Sequence, residues 1–287
     1  MSCLVMSKKG LLMSLSPTVL ATDAGWSWTT GVGEAHFRLS WQRPEEAERH
    51  RRRLDEAQLA RQLFPFRVLP CDDGGCRLQL SSAGAPPRPL STVLTDGLPP
   101  LKLTRVLEEL GRWLRALHDL PSPDGFGDPE AEPRLQTINA FLSQTFAEMT
   151  QELTEREALN EEKLQSLADL RNELSGFHPH GRTSWTLGRI TPGRLAVDPT
   201  TGAIVAFMDL GQISLRPPEW DLAALRVSRL LPARSLSERA FFRGYGAALT
   251  RDLERRVHYF ERLLTLLVAP LHHEHQFKAN TNEGSEA

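Results

Sequence analysis

Two short β-type runs, 194–197 and 203–208, are separated by Asp198-Pro199-Thr200-Thr201-Gly202, and this segment most restricts how the chain folds. Proline sets φ early in such a turn and glycine supplies positive φ at its end, so the runs are tied together as a β-hairpin. Asp209 stands where the second strand runs out. Farther on, Pro217-Pro218-Glu219-Trp220-Asp221-Leu222-Ala223 opens a helix, with Asp221 expected to start and cap it.

This layout resembles the aminoglycoside phosphotransferase and choline kinase-like family, relatives of the protein kinases. In that family a His-Gly-Asp-Leu catalytic loop and a following Asn lead into a hairpin. A metal-binding Asp and an Asp-Leu-Ala helix start come after it. Aligning Val197-Asp198, Gly202 and Asp209 without gaps puts Leu187-Gly188-Arg189-Ile190 on the His-Gly-Asp-Leu position and Arg194 on the Asn. Leu117-His118-Asp119-Leu120-Pro121 matches the family's Leu-His-x-Leu-Pro signature, with His118 read as a structural helix-end residue.

The resemblance implies a mechanism in which the loop Asp orients the proton of the substrate hydroxyl, while the Asn and the later Asp hold magnesium on the phosphates of ATP. Here the base position is Arg189, whose guanidinium stays protonated above pH ~12 and cannot serve as a base. Arg194 has donors only and brings positive charge to the metal position. At about 4 Å and an effective dielectric of about 20, that repulsion is about 4 kcal/mol per unit charge, and double for a divalent ion. The sequence therefore argues against magnesium.

Two readings of the arginines stand. The guanidiniums converge on a cleft and bind phosphate or another anion without metal, or each pairs internally with Asp209 or a neighbouring carboxylate. Asp209 likewise either retains metal binding or hydrogen-bonds the backbone of the altered loop.

The 287 residues can bury a sizeable core, and 34 basic against 36 acidic residues leave a net charge of -2. Such a balance gives no electrostatic case for nucleic acid or an anionic membrane. Cys3, Cys71 and Cys76 are too few for a secreted disulfide framework. Cys71 and Cys76 flank a tight turn, either as reduced hairpin residues or as a disulfide in an oxidising compartment. Lys8-Lys9 before an apolar stretch outlines a signal peptide, but Ser14, Ser16 and Pro17 cut it short. A cytoplasmic protein with a frayed start feeding a first strand is the expectation.

Residues 26–28 and 35–41 alternate as strands, with 29–33 as the turn between them. Gly31-Val32-Gly33 reads either as a phosphate cradle or as a plain hairpin turn. A helix follows from Pro44 to Leu63. In the family, a Glu on this helix pairs with a strand cation that grips the nucleotide phosphates. Glu56 and Arg38 match those places, and both also suit a solvated surface. Residues 66–70 and 77–80 form a second hairpin, and the Pro-, Gly- and Ser-rich stretch 81–100 reads as a linker.

Apolar residues at helical spacing from Leu101 to Leu120 predict a long amphipathic helix. Two polar helices are expected over 135–153 and 154–174, the second capped by Thr154 in Thr154-Glu155-Arg156-Glu157. Helices over 218–231, 237–249 and 253–271 complete the chain. His178 and His180 read as loop residues, and Leu271-His272-His273-Glu274-His275 as a solvated helix end rather than a metal site.

The predicted class is α+β, a two-lobed protein kinase-like fold with a small β-rich N-lobe and a large α-rich C-lobe. An extension over 1–17 precedes the small lobe at 18–90. The helical lobe spans 91–275, and a disordered tail covers 276–287. The predicted function is a pseudokinase that binds a nucleotide such as ATP or a small phosphorylated ligand, or that scaffolds a protein partner. One alternative is an ATP-dependent phosphotransferase with a rearranged site, acting on an alcohol or amine. The other is a structural partner subunit, for which an exposed apolar patch on the 134–175 helices would speak.

Overall fold

The computed structural model describes residues 86–128, 133–155, 160–173, 182–188, 190–207 and 213–281, together with six strands before residue 82. Those early strands, and residues 267–281, are described by their backbone. The chain divides into two compact units: residues 1–119, 189–213 and 230–248 form one, and 120–188, 214–229 and 249–287 the other.

The first unit opens with a two-stranded ribbon, β1 (Leu4–Met6) and β2 (Leu12–Ser14). A four-stranded antiparallel sheet follows, made of β3 (Ser27–Gly31), β4 (Glu34–Leu39), β5 (Phe66–Pro70) and β6 (Cys76–Ser81) in the order β3-β4-β6-β5. The turn expected over 29–33 is shorter than that. Thr29, Thr30 and Gly31 belong to β3, and Gly31 pairs with Glu34, because β-branched threonines favour the extended ladder over a turn. The helix expected over Pro44–Leu63 and the thiol of Cys71 lie outside the described residues, while Cys76 begins β6 opposite Pro70.

The stretch read as a linker holds structure. Arg88–Pro89 form β7, and Leu90–Thr95 form a short helix, α1, whose Leu90 and Val93 are buried. Prolines mask this pattern in the sequence, yet they suit a two-residue strand and the residue before a helix. Pro99 and Pro100 then start α2 (Pro100–His118), which buries Val106, Leu107, Leu110, Leu114 and Leu117. Leu101, assigned to the apolar face by spacing, is 68% exposed because it lies in the first turn before that face begins.

α2 packs against α6 (Leu236–Tyr245), capped by Ser235 through the Glu238 N–H and closed by Gly246 at φ 70°. Their backbones nearly touch. A Cβ on Gly244 would lie 1.8 Å from the Glu108 carbonyl oxygen, and one on Gly111 would lie 2.2 Å from that of Phe241. Buried His118 closes the helix end as expected, its Nδ1 2.7 Å from the Tyr245 hydroxyl.

The second unit is built from α3 (Ile138–Glu155), α4 (Glu161–Glu173), the ribbon β8 (Ser184–Thr186) with β11 (Ser214–Arg216), α5 (Glu219–Val227) and α7 (Arg251–Thr281). Ring contacts run from Phe126 through Phe141 and Trp220 to Phe260 and form its aromatic core. Buried Glu219 accepts from Arg256 Nε at 2.7 Å, and buried Arg226 pairs with Glu261 at 3.5 Å. Burial pushes the Tyr259 hydroxyl far above its ordinary pKa, and it donates to the Leu170 carbonyl.

The expected division of the polar helices shifts here. Thr154 does not cap the second one. It lies in the last turn of α3, and its hydroxyl donates back to the Thr150 carbonyl at 2.7 Å. Asn160 is the cap, its Oδ1 accepting the Lys163 N–H at 2.9 Å. Among the described residues of this region, Leu164 is the one large apolar side chain that stands exposed, so those residues present no apolar patch.

Replacing Gly244 by Ala forces α2 and α6 apart and is expected to cost about 3 kcal/mol, read as a lower urea midpoint at unchanged slope. Asn160→Ala should cost about 1 kcal/mol, whereas Thr154→Ala should stay within about 0.5 kcal/mol in the same assay.

Candidate functional site

The hairpin forms as its turn chemistry requires. β9 (Leu195–Val197) pairs antiparallel with β10 (Ile204–Phe207) on one side and with β7 on the other. The Asp198 N–H donates to Ala203 O, and the Gly202 N–H to Asp198 O at 2.8 Å. The Asp198 carboxylate accepts from the N–H groups of Thr200 and Thr201 at 2.7 and 3.1 Å. Gly202 stands at φ 75°, the positive-φ place that only glycine takes without strain.

Arg194 does not begin the strand, as the sequence suggested. It ends a 3₁₀ turn, Pro192–Arg194, because Pro192 sets the turn's φ and the Arg194 N–H closes back on Thr191 O. Its side chain is buried, with the residue 7% exposed.

α2 grips this hairpin at two points that sequence reasoning missed. Lys102 Nζ donates to Thr200 O in the turn at 2.7 Å, and Glu109 Oε2 accepts the Ile204 N–H at 3.0 Å. Burial above all holds the Glu109 carboxyl above its ordinary pKa, against the opposing pull of the Ile204 N–H and the Arg112 charge. Spacing marks both residues only as the polar side of an amphipathic helix.

In the second unit, the lead-in loop hangs on one carboxylate. Asp221 is fully buried; its Oδ2 accepts the Leu187 N–H and its Oδ1 the Gly188 N–H, both at 2.9 Å. The expected cap is therefore corrected. Asp221 lies in the first turn of α5, but no side chain caps that helix, and the carboxylate holds a segment 33 and 34 residues upstream instead. Gly188, at φ 75°, lets the backbone turn both N–H groups toward it.

Of the other residues singled out from sequence, Arg189, Asp209 and Glu56 lie outside the described residues. Arg38 is in β4, in register with Ser27 and Arg77. No group of three or more His, Cys, Asp or Glu able to hold a metal occurs among the described residues, and Arg194, a donor-only cation, does not fit a magnesium ligand. No described helix is long and apolar enough to cross a membrane.

Asp221→Ala is expected to cost about 3 kcal/mol by orphaning two buried N–H groups. Asp221→Asn, which keeps one accepting oxygen and turns an NH₂ toward the other N–H, should recover only part. Urea unfolding and hydrogen exchange at the Leu187 and Gly188 amides read both.

No curated protein matches the sequence significantly. Among solved structures, aminoglycoside phosphotransferase APH(3'')-Id from Streptomyces rimosus ATCC10970 superposes with a TM-score of 0.54 at 25% identity, covering 85% of this chain and 93% of that one. Its structure in complex with ADP and streptomycin superposes at 0.51 and 24% identity, covering 86% and 94%. A choline/ethanolamine kinase family protein from Mesorhizobium loti gives 0.55 at 15% identity, covering 94% and 85%. These likenesses bear out the α+β kinase-like fold expected from the sequence. The model of the phosphotransferase enzyme family, APH, matches residues 26–259, from the threshold of β3 into α7. The chain belongs to that family.

Proposed function

We propose that this chain is a pseudokinase of the phosphotransferase family, one that binds a nucleotide or a small phosphorylated ligand through its arginines and does not transfer the phosphoryl group. The observation that carries this reading is that a donor-only cation, Arg194, ends the turn leading into β9. A guanidinium there is fixed as a cation at the position that aligns with the family's metal-holding Asn, and it attracts phosphate oxygens where it would repel a divalent ion. Arg189, aligned with the family base, removes proton acceptance for the same reason of charge. The low cysteine count suits a reducing compartment, and the cytoplasm is the proposed location.

A second reading, a phosphotransferase with a rearranged site, is favoured by the 25% identity to a relative whose complex holds ADP and streptomycin. The two differ in what magnesium does. The pseudokinase reading expects ATP and ADP to raise the melting temperature equally with and without magnesium, because a ligand that binds only the folded state stabilises it, by about 2.7 kcal/mol at about 100 times Kd. Asp209→Ala should leave that rise intact and Arg189→Ala should remove it, with no phosphate transferred to alcohol or amine acceptors. A rise that requires magnesium and vanishes in Asp209→Ala would establish the enzyme reading instead.

A further inference from the structure

β8 and β11 pair over three residues each, Ser184 opposite Arg216, Trp185 opposite Leu215 and Thr186 opposite Ser214. Side chains alternate along a strand, so Ser184, Thr186, Ser214 and Arg216 share one face of the ribbon. Its three hydroxyl residues are closed to solvent: Ser184 is 1% exposed, Thr186 0% and Ser214 6%.

Thr186 Oγ1 donates to the Ser214 carbonyl at 3.0 Å. The Ser184 and Ser214 hydroxyls, in contrast, are buried and meet no hydrogen-bond partner. Arg216, the fourth residue of the face, places its guanidinium over the Trp220 ring, 4.7 Å from the centroid, and does not satisfy the serines. Two orphaned hydroxyls within six residues would carry the full cost of their desolvation, and in folded proteins such groups are almost always met by something. The two serines stand diagonally across the ribbon, a relation that places Cα atoms about 7–8 Å apart and Cβ atoms somewhat nearer. One oxygen between the hydroxyls, with O–H···O bonds of about 2.7–2.8 Å on either side, suits that separation.

We propose that Ser184 and Ser214 bind one buried water molecule, with Thr186 as its third partner. Both serine hydroxyls donate to the water oxygen. The water donates to Thr186 Oγ1, whose own proton is committed to the Ser214 carbonyl while its lone pairs still accept. About three bonds is the usual complement of a buried water, and a polar niche shut off from solvent is where such a molecule stays. β8 runs directly into Leu187 and Gly188, whose N–H groups Asp221 holds. The water thus adds a side-chain link across a ribbon only three residues long, at the foot of that loop.

The experiment uses the full chain, as wild type, Ser184→Ala, Ser214→Ala and the double variant. In wild type, Overhauser transfer from solvent to the Thr186 and Ser214 amides should report a water that outlives molecular tumbling, and the double variant should lose it. In urea unfolding, each single variant should raise the unfolding constant about tenfold, because the water departs and the remaining serine is left unpaired. The double variant should show no greater loss than either single one, since removing a hydroxyl already orphaned costs nothing further. Protection of the Leu187 and Gly188 amides from hydrogen exchange should fall in all three variants. A loss near a hundredfold in the double variant would mean that the hydroxyls act separately and would overturn the shared water. So would the absence of a long-lived water at the ribbon in wild type, a result that does not depend on how the variants fold.

Discussion

Two glycines, one on each of two crossing helices, let α2 and α6 meet backbone to backbone. With Gly111 facing the Phe241 carbonyl and Gly244 facing that of Glu108, no side chain separates the helices, and their relative position is set by main-chain contact rather than by adaptable rotamers. Gly111 lies about half a turn around α2 from the Lys102–Glu109 line. One face of the helix is thus pressed against α6 while the other carries the hairpin. The rigidity of the crossing is passed on to the segment that aligns with the family's metal and phosphate positions.

The second unit uses a different device for the loop that aligns with the family's catalytic motif. Asp221 reaches across more than thirty residues of sequence to hold the Leu187 and Gly188 backbone, so the loop's shape depends on a buried carboxylate and on a glycine at positive φ.

What was legible in the sequence was local. Asp198-Pro199-Thr200-Thr201-Gly202 announces its turn because Asp198 takes the N–H groups of Thr200, Thr201 and Gly202 from within it, and the leucines of α2 announce a helix because spacing alone defines the buried face. The family was legible through the Leu-His-x-Leu-Pro run and the ungapped hairpin frame. Distant partners were not legible. Asp221 resembles any first-turn acid until its acceptor role toward Leu187 and Gly188 is seen, and Glu109 resembles any solvated helix residue until Ile204 is found beside it. Prolines hid β7 and α1, a six-residue helix that buries only Leu90 and Val93. Thr154 and Asn160 are both good cap residues, and nothing within the sequence of that connection says which one the helix uses.

The clasp at Ile204 also bears on how the sheet ends. β10 is the outer strand of the β10-β9-β7 sheet, yet its Ile204, Ala206 and Phe207 are buried, so its main-chain groups away from β9 need partners from within the chain. The Glu109 carboxylate is the partner of the first of these groups, the Ile204 N–H. A helix side chain thus does for this edge what a fourth strand would do, and the sheet ends without leaving that donor unmet.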